Sequence, residues 1–269
     1  MSQTIHIEDL QAWNAEVAKA LQETDKVTRL IKVMGAVKNA LDICLAGAFV
    51  FQKEAAPIAV FDEVEGDKKK NDYAEFAYLL DPIHDLFLEG QLSNDCLMRD
   101  NAPDEFFSSE YFNKYYRQLG IQDEYYLNFE MDKNTCFHLT FTRVNNPNPF
   151  TKNDRLLLQA LRPTLRFAVD DYWEGHAAPI REEAGERQKI HDAVSHAFNT
   201  FGADVLTPRE QEILQVMLKG FSDKSTARIL DISPGTVRNH KKNIFSKLEV
   251  TSQGQVFGLF LDALANPST

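Results

Sequence analysis

The side chains best suited to specific chemistry are Arg238, Asn239 and Lys242, which lie close together in the C-terminal part of the chain. An arginine can donate two hydrogen bonds to O6 and N7 of guanine, and an asparagine can pair with N6 and N7 of adenine. If a helix carries them, this spacing puts all three on one side within about one turn. Such a set could read base edges in the major groove of DNA.

The segment around these residues has the period of an amphipathic helix. Spacings of three and four residues predict a buried face at Val237, His240, Ile244 and Leu248. His240 is therefore predicted to be a packed histidine rather than a base reader or a metal ligand, and Lys247 is predicted to be a solvated charge. The three polar side chains then lie opposite the core, on the half of the helix that a recognition helix inserts into DNA.

A second group of polar side chains is better placed for phosphates, whose contacts set the register of a protein on DNA rather than its sequence preference. Two of them, Ser233 and Thr236, lie where the helix begins, and the other two are cationic. The predicted phosphate contacts are Lys224, Ser233, Thr236 and Lys241.

Two shorter helices are predicted before this one. Thr207 and Glu210 form a capping box, in which each side chain can bond to the backbone of the other, and Pro208 suits the first turn. Gly220 is placed to end that helix, and Ser222 can cap the next. Three short helices at these spacings predict a helix-turn-helix.

Residues 206–250 closely resemble the LuxR/FixJ (NarL-like) family of bacterial DNA-binding domains. The family pattern is LTxRExEVL, a glycine, SxKEIAxxLxIS, TVxxH and KLxV, and this chain has LTPREQEIL, Gly220, SDKSTARILDIS, TVRNH and KLEV. The resemblance covers about the last quarter of the chain. It implies a fourth helix over residues 252–264 used for dimer contact, and a homodimer on a pseudo-palindromic site.

Two departures from the family pattern concern the scaffold. Ser225 and Thr226 replace the usual Glu-Ile pair, and Gln253 stands where the family usually has an arginine. The resemblance therefore implies that a structural ion pair at Gln253 is missing.

The net charge of −11 at pH 7 would by itself disfavour binding to a polyanion, so its distribution along the chain matters. Residues 1–203 carry 21 basic and 33 acidic side chains, whereas residues 204–269 carry 8 and 7. Within residues 219–247 there are 7 basic and 2 acidic side chains, so this stretch has a field that attracts phosphates. The overall acidity does not argue against DNA binding.

Cysteine usage and hydropathy indicate a cytoplasmic protein with no membrane partner. Cys44, Cys96 and Cys136 are widely separated, without the ligand spacing of a zinc site, and are expected to be buried thiols. The N-terminus lacks the pattern of a signal peptide, and no apolar run approaches the roughly 18 residues needed to cross a bilayer.

The first two thirds of the chain alternate between helical and strand-like patterns. The predicted order is two amphipathic helices, a β-hairpin, a charged loop over 65–72, two helices over 73–89 and 104–119, a second hairpin, and a long helix from 151 to 173. In the second hairpin, alternation puts the apolar faces at Tyr125, Leu127, Phe129 and Met131 and at Phe137, Leu139 and Phe141. This order is typical of a PAS- or GAF-like α+β sensor domain, an antiparallel sheet with helices against it.

The chain is therefore predicted to combine this α+β N-terminal domain with an all-α, four-helix C-terminal helix-turn-helix domain. The expected division is 1–173 for the sensor and dimerisation domain, 174–203 for a linker and connector helix, and 204–269 for the DNA-binding domain. Residues 174–185 have the composition of a linker. The apolar stripe that follows, at Ile190, Val194, Ala197 and Phe201, could pair with its copy in a dimer or pack on its own chain.

Tyr78 and Asp81 are the candidate ligand contacts of the N-terminal domain. Their segment, YLLDPIHD, is similar to part of the acyl-homoserine lactone-binding domains, which are one known input of the family. The alternative is structural, with Asp81 capping a helix whose first residue is Pro82. A receiver domain is not indicated, because the acidic pair after a first buried strand is absent. His84 and His138 stand alone, so neither a metal site nor a cofactor is predicted.

The leading hypothesis is a sequence-specific transcription regulator controlled by a small-molecule effector. Its expected partners are double-stranded DNA, a second copy of the chain, the effector and RNA polymerase. One alternative is an N-terminal domain that only dimerises or binds a protein partner. Another is an enzyme with a DNA-binding tail, but the sequence has no nucleophile elbow, P-loop or HExxH motif, and we expect no enzymatic activity.

Overall fold

In the computed structural model, the described residues are 7–63, 73–146 and 148–265. The charged segment predicted as a loop, 65–72, lies outside them. The strands are β1 (Leu45–Gln52), β2 (Ala55–Asp62), β3 (Asp95–Leu97), β4 (Ile121–Asp132) and β5 (Thr135–Val144). The α-helices are α1 (Ile7–Ala20), α2 (Lys26–Leu41), α3 (Pro82–Leu88), α4 (Met98–Asn101), α5 (Glu110–Tyr115), α6 (Lys152–Thr200), α7 (Pro208–Leu218), α8 (Asp223–Ile229), α9 (Pro234–Lys247) and α10 (Gln253–Ala265).

The N-terminal domain is built on one antiparallel sheet with the strand order β2-β1-β5-β4-β3. Its centre is the hairpin of β4 and β5, in which Leu127 pairs with Leu139. The turn between them is held by the N–H of Asn134, which donates to Oδ1 of Asp132 at 2.9 Å. The predicted α+β architecture of this domain is confirmed.

One face of the sheet packs against helices α2 and α6. Phe137, Leu139 and Phe141 alternate along β5 and are fully buried, as the strand period predicts. The helices contribute buried leucines to the same core, among them Leu158 and Leu165 of α6. Each such side chain stabilises the fold by roughly 1.5–3 kcal/mol relative to an exposed one. The predicted apolar faces of this hairpin are therefore the core faces.

The opposite face of the sheet is also buried, because the segment between β2 and β4 folds over it. Phe51 of β1 lies 5.1 Å from the ring of His84 in α3 and 4.4 Å from that of His138 in β5. The prediction of two long helices over 73–89 and 104–119 is wrong, since both ranges form several short helices instead. Asp81 and Ser109 each accept a bond from a backbone N–H and so start new helices.

Helix α6 extends over 49 residues and joins the two domains. It starts at a capping box of Thr151 and Asp154 and continues through Pro163 and Pro179. The predicted linker, 174–185, is helical rather than irregular. Its alanine, glutamate and arginine residues are good helix formers, and they outweigh the loss of one backbone hydrogen bond at a proline.

The apolar stripe near the end of α6 packs against other helices of its own chain. This favours intrachain packing, rather than pairing in a dimer, as the role of the stripe. Phe201 lies 5.5 Å from the ring of Phe260 in α10, and Phe198 lies at the same distance. Val194 and Ala197 pack against the same cluster.

The C-terminal domain consists of helices α7 to α10, so the predicted all-α domain is confirmed. The predicted cap at Ser222 is present, and Ser233 caps α9 in the same way: their Oγ atoms accept from the N–H groups of Ser225 and Thr236 at 3.2 and 3.0 Å. Gly220 follows α7 with a φ of +89°, which favours glycine. Among the helices of the described residues, none has the length and apolar character that a membrane span requires.

Candidate functional site

The exposed face of α9 is the strongest candidate for a functional surface. Val237 and Ile244 are completely buried in the core of the C-terminal domain. Arg238, Asn239 and Lys242 point away from that core and are exposed. The structure thus brings the three predicted base readers together on one accessible face, near the end of α9 that Ser233 caps.

The predicted phosphate contacts lie in different environments. Lys224 is exposed on α8. The hydroxyls of Ser233 and Thr236 are 2.9 Å apart and bond to each other at the start of α9. Nζ of Lys241 lies 2.8 Å from Oδ1 of Asp223 in α8, and this ion pair offsets the positive charge of the lysine.

An ion pair joins the start of α7 to the end of α9. Lys247 is exposed, as predicted, and its Nζ lies 2.7 Å from Oε2 of Glu210. The same carboxylate accepts from the backbone N–H of Thr207 at 2.9 Å and completes the capping box. Burial by itself raises the pKa of Glu210, but the bonds from Lys247 and Thr207 outweigh it and lower this pKa to about 2.

Replacing Glu210 by alanine is expected to destabilise the chain by about 1–2 kcal/mol near pH 7, because a helix cap and an ion pair are lost together. A carboxyl with a depressed folded-state pKa stabilises above its unfolded pKa, so this contribution falls as pH drops from about 4.5 towards about 2. Urea unfolding at neutral pH and near pH 3 measures both effects.

The matched control is Glu212→Ala, which removes an exposed partner of Arg209 on the same helix. This variant is expected to lower the free energy of unfolding by less than about 0.5 kcal/mol. Equal losses for the two variants, or a Glu210→Ala loss that does not shrink in acid, would contradict the role given to Glu210.

A cavity of about 110 Å³ lies in the N-terminal domain, between the second face of the sheet and the short helices that cover it. Asp81 borders this cavity, whereas Tyr78 is not among its described lining residues. The Tyr78 hydroxyl lies 3.1 Å from Nδ1 of His191 in α6. The aromatic part of the lining comprises Phe49, Tyr73, Tyr111, Tyr115, Tyr116 and Tyr126.

Asp81 has the predicted capping role and also faces the cavity. Its Oδ1 accepts from the backbone N–H of Ile83 at 2.8 Å, and its Oδ2 accepts from the hydroxyl of Tyr73 at 2.6 Å. Burial raises the pKa of Asp81 to about 6, despite these bonds. The two sequence interpretations of Asp81 are therefore compatible.

Glu124 is a buried cavity residue that the sequence analysis missed. Its two carboxylate oxygens accept from the hydroxyls of Tyr126 at 2.5 Å and Thr142 at 2.9 Å. Burial raises its pKa to about 7. The sequence pattern did not indicate its burial, because an acid on the side of a strand opposite the apolar face normally faces water.

The two domains meet beside the aromatic wall of this cavity. Asp104 accepts from the N–H of Ser222 at 3.0 Å and from the hydroxyl of Ser225 at 2.9 Å, both at the start of α8. The Glu105 N–H donates to the carbonyl of Gly220 at 3.0 Å. Nζ of Lys219 lies 2.7 Å from Asp85.

One aromatic cluster contacts both the cavity and this domain boundary. The ring of Phe106 lies 5.8 Å from Tyr111 and 5.7 Å from Tyr116, which line the cavity. The backbone of Phe106 lies against Gly220 of the C-terminal domain. Through Phe106, a change of packing around the cavity would therefore directly affect the contact with the segment between α7 and α8.

Comparison with known families identifies the C-terminal domain. Residues 204–259 match the family model described as bacterial regulatory proteins, luxR family. This domain is therefore a LuxR-family helix-turn-helix domain, which is a domain of bacterial regulatory proteins.

Two relatives show how far the similarity extends. The predicted HTH-type transcriptional regulator in the exeN 3′ region of Aeromonas salmonicida is 26% identical over 157 residues, which are 58% of this chain and 80% of that protein. The response regulator protein TmoT of Ectopseudomonas mendocina is 49% identical over 104 residues, which are 39% of this chain and 38% of that protein.

The N-terminal fold is shared with a solved structure, the VqsR LBD domain from Pseudomonas aeruginosa. The TM-score is 0.54 at 19% identity, with 61% of this chain and 97% of that chain covered. At this identity the likeness concerns the fold alone.

Proposed function

We propose that this protein is a sequence-specific transcription regulator that binds promoter DNA as a homodimer and is controlled by a small molecule in its N-terminal cavity. The observation that carries the proposal is the exposed cluster of Arg238, Asn239 and Lys242 on the third helix of a LuxR-family domain. Side chains of these types at the start of a recognition helix match the donors and acceptors of the major groove.

In this proposal, α9 enters the major groove and its three exposed polar side chains contact base edges. The phosphates of the DNA backbone are bound by Lys224 and Lys241 and by the hydroxyls of Ser233 and Thr236. These contacts fix the register of the domain on DNA. Lys241 would exchange Asp223 for a phosphate, since both are anions.

Dimer formation is supported by apolar side chains left exposed on α10 and α6. Leu259 of α10 is 40% exposed, and Leu156 and Phe167 of α6 are 54% and 56% exposed. A two-fold dimer presents two copies of α9, which matches an inverted repeat in the DNA. RNA polymerase is the further partner that we propose for a regulator bound at a promoter.

Control by a ligand is supported by the position of the cavity. Its aromatic wall includes Tyr111 and Tyr116, whose neighbour Phe106 lies against Gly220 of the DNA-binding domain. A ligand that changes this packing would change the balance between docked and released DNA-binding domains, to the extent that it binds one state better.

Selection from a library of random duplexes with the full chain tests the proposal. We expect enrichment of an inverted repeat whose half-sites lie about one helical turn apart, roughly 10 base pairs from centre to centre. Sedimentation velocity of the complex should give two chains per duplex. A pool that stays random after repeated rounds would overturn the proposed function.

A further inference from the structure

We propose that Gly235 is a positioning residue for DNA recognition, because a position without a side chain lets the first turn of α9 approach the bases closely. This inference rests on the proposed function, since it concerns the same face of α9. It follows from the place of Gly235 on the helix, from the space around it and from the corresponding positions of other helices in the chain.

Gly235 lies on the face of α9 that carries the proposed base readers. Gly235, Arg238 and Lys242 are separated by three and then four residues, so the helix places them along one line. Arg238 and Lys242 are exposed, whereas Val237 and Ile244 are buried on the other side. Gly235 is the first of the three from the N-terminal end, which is the part of a recognition helix that contacts base edges. The leading end of this face therefore has no side chain.

Neither the backbone nor the packing of the described residues requires a glycine at this position. Gly235 has the backbone of an ordinary α-helix, whereas Gly202 and Gly220 have φ values of +75° and +89°. Within the described part of the chain, an added Cβ at Gly235 would meet Oγ of Ser233 alone, at an ordinary contact distance of 3.6 Å. Since glycine weakens a helix relative to alanine, stability of the fold does not account for its presence.

Two other helices of the same domain carry a long side chain at the corresponding position. Helix α7 begins with Thr-Pro-Arg at 207–209, and α9 begins with Ser-Pro-Gly at 233–235; a hydroxyl group caps both helices, and a proline follows it. Arg209 thus occupies in α7 the position that Gly235 occupies in α9. In α8, which Ser222 caps, this position is Lys224. A first turn with such a cap therefore accommodates a side chain, and the glycine is particular to α9.

Close approach of the helix matters most for reading the sequence. Glycine is common where a backbone must come close to a ligand. Hydrogen bonds to base edges need donor–acceptor distances of about 2.7–3.2 Å, so a side chain at position 235 would hold Arg238 and Lys242 too far from the bases. Non-specific binding depends on the charge of the phosphates and tolerates a greater separation. Gly235 should therefore affect the preference between sequences more than the attraction to DNA.

The variant Gly235→Ala, measured for both stability and DNA binding, tests this role. Denaturant unfolding should show a variant at least as stable as the natural chain, because alanine is the better helix former. Its affinity for the selected duplex should fall by at least about fivefold, because the methyl group overfills the contact. Its affinity for a scrambled duplex should change by less than about twofold. A glycine needed only for folding would give the opposite result, a loss of stability.

The matched control is Gly185→Ala, which adds the same methyl group to an exposed helical position of α6. In the described structure, an added Cβ at Gly185 has nothing within 4 Å. This variant should also be at least as stable as the natural chain, and it should leave both DNA affinities unchanged. Gly235→Leu should weaken binding to the selected duplex more than Gly235→Ala does, because its side chain is larger.

Three results would overturn the role given to Gly235. They are a Gly235→Ala variant that binds the selected duplex as tightly as the natural chain, one that loses affinity equally for both duplexes, and one that is less stable than the natural chain.

The natural chain, titrated with the same duplexes, separates this inference from the proposed function. If the natural chain prefers the selected duplex and Gly235→Ala prefers it equally, only the role of Gly235 is wrong. If the natural chain selects no DNA sequence, the proposed function fails, and the role of Gly235 fails with it. A preference that the natural chain shows and the variant loses supports both.

Discussion

Replacing Arg238 by alanine is expected to lower affinity for the selected duplex by about 5- to 150-fold while affecting a scrambled duplex much less. A bidentate contact from arginine to guanine contributes about 1–3 kcal/mol of discrimination, and alanine cannot replace it. Arg238 is exposed, whereas its neighbour Val237 is buried, so the substitution leaves the core intact. Fluorescence anisotropy with both duplexes at one salt concentration measures the effect.

The matched control is Arg228→Ala, which removes the same charge from an exposed position on α8. Loss of a charge alone should weaken binding to both duplexes by a similar factor. Lys241→Ala should act in the same way and reduce the salt dependence by about one phosphate contact. If Arg238→Ala weakened both duplexes equally, the orientation proposed for α9 would be wrong.

Replacing Gly220 by alanine is expected to destabilise the full chain by about 2–4 kcal/mol. Gly220 has a φ of +89°, and an added Cβ would lie 2.9 Å from Cα of Phe106. A side chain there strains the end of α7 and forces the two domains apart. Denaturant unfolding, followed by tryptophan fluorescence and circular dichroism, measures the loss.

Gly35→Ala provides the control, because Gly35 lies inside α2 and an added Cβ would have nothing within 4 Å. This variant should be more stable than the natural chain by about 0.5–1 kcal/mol. Similar stability changes for Gly220→Ala and Gly35→Ala would contradict the proposed domain contact.

The variant Asp104→Ala separates docking of the domains from folding, since it removes interdomain hydrogen bonds without backbone strain. This variant should retain DNA binding and lose most of the response of DNA affinity to a cavity ligand.

Much of the C-terminal domain could be predicted from the sequence because its determinants are local. The caps at Thr207, Ser222 and Ser233 lie within three residues of the N–H groups that they bind. The period of α9 places Val237 inside and Arg238 outside. The pair of Glu210 and Lys247 was missed, because it joins residues far apart in sequence, and only packing of α7 against α9 brings them together.

The cavity was less predictable because burial of a polar strand face is decided elsewhere in the chain. Alternation correctly assigned Phe137 and Leu139 to the core, and it left Glu124 and His138 on what was expected to be a polar face. Residues 73–119 cover that face, and their break into short helices depends on caps such as Asp81 and Ser109. The predicted cap at Asp81 was present, yet its position beside a cavity required the fold.

Whether the exposed face of α9 reads DNA sequence is decided by the ratio of two DNA affinities. Full-length protein is titrated with the selected duplex and with a scrambled duplex of equal length and composition, at one near-physiological salt concentration. We expect a ratio of about a thousand or more, as for specific regulators. A ratio close to one, with both duplexes bound only through salt-dependent phosphate contacts, would contradict it.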